Sequence, residues 1–87
     1  MRADIQIVIN EIEKSLSLLR QRLDWDNVSK KREEFDALTE DPDLWNYPDK
    51  AHKLMRERQN FIDQVDAHNT ISTELKENIE LIELAEI

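Results

Sequence analysis

A chain of 87 residues makes one small domain, which buries a smaller share of its surface than a larger protein does. With hydrophobic residues at 39%, charged residues at 37% and aromatics at 6%, the balance is that of a charged helical bundle or coiled coil, not a β-protein or a disordered tail. A net charge of −8 argues against general binding to phosphate backbones, and the lack of glycine and cysteine excludes phosphate-cradling loops, dinucleotide fingerprints, disulfides, thiolate zinc sites and cysteine nucleophiles.

The first predicted element is a helix over about 4–22. Ile5, Ile9, Ile12, Leu16, Leu19 and Leu23 recur at alternating spacings of four and three, which is a heptad seam and not a strand pattern. Ile7, Val8 and Leu18 widen that seam, so the helix is expected to touch more than one neighbour. Leu23-Asp24-Trp25-Asp26 interrupts the periodicity, with Asp24 or Asp26 suited to cap a second helix over about 26–39. Val28, Phe35 and Leu38 mark the side of that helix expected to be buried.

Glu40-Asp41-Pro42-Asp43-Leu44-Trp45-Asn46-Tyr47-Pro48 holds both prolines of the chain. Each proline lacks an amide donor and restrains the residue before it, so helix cannot run through this segment. It reads as a stiff corner in which Leu44 and Trp45 fold back onto the flanking helices, while Asn46 caps the next helix through a box ending at Asp49. The third helix, over about 47–85, carries an unbroken three-four seam of Ala51, Leu54, Arg58, Phe61, Val65, His68, Ser72, Leu75, Ile79 and Ile82, with Met55, Ile62 and Ile71 alongside. Its length is about 57 Å at the usual rise per residue. Two shorter helices packed beside it cannot cover all of it, so part of it is expected either to protrude or to pack on something outside this sequence. The fold class expected is therefore all-α, an antiparallel three-helix bundle with coiled-coil character and one long third helix, formed by a single helical domain over 1–87.

Charge is uneven along the chain. From Asp66 onward the acids Asp66, Glu74, Glu77, Glu80, Glu83 and Glu86 face only Lys76, which gives −5 of the total −8. Those glutamates step every three residues, so they wind around the helix as a solvated surface and do not line one face as metal ligands would. Asp24 with Asp26, and Asp41 with Asp43, read as caps and not as catalytic carboxylate pairs. His52 and His68 are too far apart on one helix to share a metal. Arg58, His68 and Ser72 interrupt the apolar seam, and because a buried charge is expensive without a partner they read as points where the seam reaches the bundle's edge. Lys30, Lys31, Arg32, Lys50, Lys53 and Arg56 could form a patch for RNA or an acidic protein, but read more simply as solvated bases paired with Glu33, Glu34 and Glu57. Trp25 and Trp45 read as core anchors at the two helix junctions. No catalytic, cofactor-binding or metal-binding residue is assigned.

The Leu23-Asp24-Trp25-Asp26 junction, the corner Asp41-Pro42-Asp43-Leu44-Trp45-Asn46 with Pro48, the stretch Ala51 to Arg58 and the closing Ile79-Glu80-Leu81-Ile82-Glu83-Leu84-Ala85 together resemble the N-terminal domain of the bacterial peptide chain release factor 2 family. The resemblance covers nearly the whole chain, and its most specific part is the proline corner. It implies a role in translation termination, in which the complete factor reads UGA and UAA codons and triggers peptidyl-tRNA hydrolysis on the ribosome. Neither the Ser-Pro-Phe codon-reading tripeptide nor the Gly-Gly-Gln catalytic loop of that family is in this sequence. The resemblance thus implies a non-catalytic domain near the large-subunit stalk base, with the GTPase release factor as a further partner. It implies a cytoplasmic location, in keeping with the absence of any apolar run of the roughly 18 residues that a membrane span needs. Since family members continue into a further helix packed on the long one, this domain is expected to be incomplete and to form a homodimer through the C-terminal half of the third helix, around Leu75, Ile79, Leu81, Ile82 and Leu84. The alternative from another class is a free-standing helical coiled-coil adaptor or assembly protein.

Overall fold

A computed structural model describes residues 2–87. Three α-helices follow in order, α1 Ala3–Leu23, α2 Val28–Thr39 and α3 Pro48–Ala85, with single 3₁₀ turns at Trp25–Asn27 and Pro42–Asn46 between them. No strand occurs among the described residues. The expected all-α class and the long third helix are observed, with boundaries within two residues of those read from the periodicity.

The ends of α1 follow the helix dipole: Asp4 stands in its first turn and Arg20 and Arg22 in its last. Its stop is set by Asp24, which adopts the left-handed conformation at φ 54° and returns its N–H to the carbonyls of Arg20 and Gln21. Aspartate is one of the few residues other than glycine that visits this region readily, which is how a chain without glycine closes a helix here. The capping role expected of Asp24 or Asp26 is therefore corrected. Asp24 ends α1, and α2 starts at Val28 after the 3₁₀ turn with no side-chain cap at Asn27. The Asp24 carboxylate instead accepts from Asn27 Nδ2 at 2.9 Å, which ties the turn together.

A second correction concerns the proline corner. Asp41, and not Asn46, is the capping residue: its Oδ1 accepts from the Asp43 N–H at 3.0 Å and so starts the 3₁₀ turn, with Pro42 following where no donor is needed. At the head of α3 the cap position falls on Tyr47, which makes no side-chain cap bond, and Pro48 supplies the first residue with its φ already set.

Packing follows the three-four seams. Ile9, Leu16 and Leu23 of α1 and Ala51, Phe61, Val65 and His68 of α3 are buried, and the remaining seam positions of both helices are half-buried. The central cluster is Leu23, Phe61 and Val65, against which Leu19, Trp25, Val28, Phe35 and Ile62 are packed. On α2 the buried side is Val28, Phe35, Asp36 and Thr39, whereas Leu38 is exposed. At about 100° per residue, Leu38 lies well off the arc that joins Phe35 and Thr39.

Asp36 of α2 meets Arg58, and Phe35 meets Phe61, in the N-terminal half of α3. Arg20 of α1 meets His68, and Leu16 shares a groove with Leu75 and Ile79 further along. Both short helices therefore run antiparallel to α3 and lie on it one after the other. The molecule measures 62 × 20 × 19 Å, about the length of α3 and the width of two helices. This removes the expected protrusion, because α1, the turn and α2 placed in series match the length of α3. It also fits the exposure of Ile7, Val8 and Leu18: α1 packs along α3, and α2 adjoins only its C-terminal end at Leu23.

Candidate functional site

Two polar contacts interrupt the apolar seam, one buried and one half-exposed. His68 is only 4% exposed. Its ring is 4.2 Å from that of Trp25 at a 45° tilt, its Nε2 is 3.0 Å from Arg20 Nη1, and its Nδ1 is 3.2 Å from Asn69 Oδ1. A guanidinium can only donate, so Nε2 is the acceptor and the proton resides on Nδ1, where it is given to Asn69. Arg58 is likewise partnered. Its Nε donates to Asp36 Oδ1 at 3.0 Å, and its second terminal nitrogen is 2.9 Å from the same oxygen. The edge reading is therefore corrected for His68, since a buried polar group is tolerated where its hydrogen bonds are met, whereas Arg58 and its partner Asp36 remain partly exposed. Ser72 does border an open groove between α1 and α3, beside Leu16, Arg20, Leu75 and Ile79, with Glu13, Lys76 and Glu80 around its mouth.

Both pairs were missed in the sequence because their members are far apart along it. A polar residue on a seam is the available signal. Asp36 falls between the apolar Phe35 and Thr39 on α2, and Arg20 one turn beyond Leu16 on α1, each at the level of its partner on α3.

Trp25 is a packing residue, as expected, partly buried against His68 and the central cluster. Trp45 is the opposite case. It is 57% exposed, Tyr47 is 59% exposed, and in the corner only Leu44 is half-buried. The expectation that Trp45 seals the bundle is overturned. A 3₁₀ turn has three residues per turn, so when Leu44 faces inward its immediate neighbour must point elsewhere.

The bases do not form the pairs expected of them. Lys31 Nζ lies 5.1 Å from the centre of the Phe61 ring and Lys50 Nζ 5.1 Å from that of Tyr47, so these two ammonium groups rest on aromatic faces. No ion pair joins the six bases to Glu33, Glu34 or Glu57 among the described residues. His52 and the glutamates Glu74, Glu77, Glu80 and Glu83 are exposed along α3. Among the described residues no group of three histidine, cysteine, aspartate or glutamate side chains is arranged to hold a metal ion. No helix is long and apolar enough to cross a membrane.

Comparison with known proteins gives matches along the whole chain. It is 54% identical over 87 residues to peptide chain release factor 2 of Roseobacter denitrificans and 48% identical over 87 residues to that of a Ruegeria species. Over 86 residues it is 43% identical to peptide chain release factor 2 of Rickettsia bellii. The chain spans about 23% of the length of each of these relatives. No protein-family model matches it, and no solved structure matches it.

Proposed function

We propose that this chain, which is homologous to peptide chain release factor 2 over its whole length, is the N-terminal helical domain of a bacterial translation termination factor. It acts in the cytoplasm as a positioning element and not as a catalyst. The observation that carries this reading is the 54% identity over all 87 residues, which extends far beyond the proline corner where the resemblance is most specific. In this reading the complete factor recognises UGA and UAA and promotes peptide release on the ribosome. The domain contributes contacts near the stalk base of the large subunit, and the GTPase release factor is a further partner.

The rod supports such a division of labour. Its polar interior contacts are closed pairs that hold helices together, and the chain contains no Gly-Gly-Gln loop that could orient water or stabilise a developing oxyanion. A helix of about 57 Å, stiffened along its length by two others, is suited to setting a distance between two contacts.

The test is stop-codon-dependent peptide release, measured in parallel for this chain, for the remainder of a complete factor and for the two joined. The chain alone is expected to release nothing, and the joined protein to outperform the remainder. Release by the chain alone would overturn the assignment of roles. Equal rates for remainder and joined protein would show that the domain is dispensable.

A further inference from the structure

We infer that the corner end of the rod is a docking tip, in which Trp45 and Tyr47 insert into a protein surface lined with lysine and arginine. This rests on the ribosomal reading above and names the kind of surface that the domain would meet there. Three observations lead to it.

Trp45 and Tyr47 stand two residues apart, and each exposes more than half of its surface. Leu38, at the last turn of α2 and so at the same end, is exposed as well. A small domain has every reason to bury a tryptophan, and this one buries most of Trp25 while leaving Trp45 57% exposed. Tryptophan and tyrosine are the residues that most often anchor protein interfaces, because each brings a large apolar area with few rotatable bonds.

The backbone that presents them is held before any partner arrives. The Asp41 cap, Pro42, Pro48 and the tight turn fix the corner from both sides, with Leu44 as its inward anchor. Little ordering is left to be done on binding.

Charge then selects the partner. Glu40, Asp41, Asp43 and Asp49 are all exposed, and no lysine or arginine occurs between Leu38 and Asp49. The nearest base in sequence, Lys50, already lies over the Tyr47 ring. Exposed aromatic rings can also stack on bases of single-stranded RNA, but such sites track the phosphates with a positive groove. Four exposed carboxylates in the same segment oppose phosphate and favour lysine and arginine.

Isolated bacterial large ribosomal subunits are the probe. Binding of the chain is measured beside Trp45→Ser/Tyr47→Ser, Glu40→Lys/Asp43→Lys and, at the far end of α3, Leu81→Ser. Each variant is first checked for helicity by circular dichroism; these positions are exposed, so the fold is expected to persist. The aromatic pair is expected to lose about thirtyfold in affinity, as for interface anchors. The charge reversal should weaken binding most at low salt, and Leu81→Ser should leave it unchanged. A photoreactive benzoylphenylalanine at position 45 should crosslink to ribosomal protein.

Binding by the parent chain that neither tip variant weakens would overturn the tip while leaving the functional reading intact. Crosslinking into ribosomal RNA would overturn the choice of partner. No binding by the parent chain at all would overturn the ribosomal reading, and the tip with it.

Discussion

Arg20 Nη1 and His68 Nε2 are 3.0 Å apart across 48 positions of chain, which makes a charged side chain of α1 the donor to a buried ring on α3. Trp25 covers the same ring, so one histidine registers the end of α1, the turn that follows it and the middle of α3. Replacing Arg20 by leucine leaves the Nε2 acceptor without its donor and is expected to cost about 1–3 kcal/mol in denaturant unfolding. His68→Leu in the same background should recover part of that loss, so a double-mutant cycle would show coupling between the two sites. Additive losses would show that the contact contributes nothing specific. In addition, nitrogen chemical shifts of the neutral ring are expected to report the Nδ1–H tautomer.

The two large aromatics with opposite environments give the sharpest contrast. Phe61 is buried at the centre of the rod, and Phe61→Ala is expected to destabilise it by about 3–5 kcal/mol. Trp45→Ala should change stability by no more than about 0.5 kcal/mol, as for other exposed positions. Thermal unfolding of the two variants beside the parent chain decides. A Trp45→Ala loss as large as that of Phe61→Ala would mean that the corner tryptophan is covered in solution.

At the corner, Asp41→Ala removes the acceptor for the Asp43 N–H and is expected to cost about 1 kcal/mol, the usual worth of a helix cap. Asn46→Ala should be nearly neutral, because no hydrogen bond of its side chain holds the head of α3. Equal losses from the two substitutions would restore the cap first expected of Asn46.

Self-association is the fourth expectation. Leu75, Ile79 and Ile82 are half-covered, which leaves Leu81, Leu84 and Ile87 as the exposed apolar side chains at the end of α3. A homodimer through this stretch is a proposal that now rests on fewer residues than the full stripe. Sedimentation should show a weak dimer at high micromolar concentration that Leu81→Ser/Leu84→Ser abolishes. A pure monomer at that concentration would remove the dimer from the account.

Helix existence and length were legible in the chain because three-four spacing over 38 residues of α3 admits no other regular structure. Every residue of that seam, from Ala51 to Ile82, is buried or half-buried. The antiparallel packing on α3 was expected, but the end-to-end placement of α1 and α2 was not legible, since a heptad pattern states which face is covered but not by how many neighbours. Thus Ile7 and Leu18 looked like a second contact face and are exposed. The rule that a tryptophan is buried failed at Trp45, because the turn type that decides which of two adjacent residues points inward is not written in composition. The inward polar residues Arg58 and His68 were visible as anomalies, but their partners, Asp36 and Arg20, are fixed only by register between helices.

The placement of α1 and α2 one after the other also predicts how the rod opens. Among the described residues, the one cluster of mutually packed buried side chains lies at the middle, at Leu23, Phe61 and Val65 beside His68, so amide exchange should be slowest there and quicken toward both ends. The two ends then differ in kind. Past Leu81 the last turn of α3 carries the exposed apolar side chains Leu84 and Ile87, so its amides are expected to exchange early. The corner is equally remote from the centre, yet two pyrrolidine rings and the Asp41 cap limit its motion locally. Its shape is set more by local restraint than by burial, and should therefore outlast moderate weakening of the core.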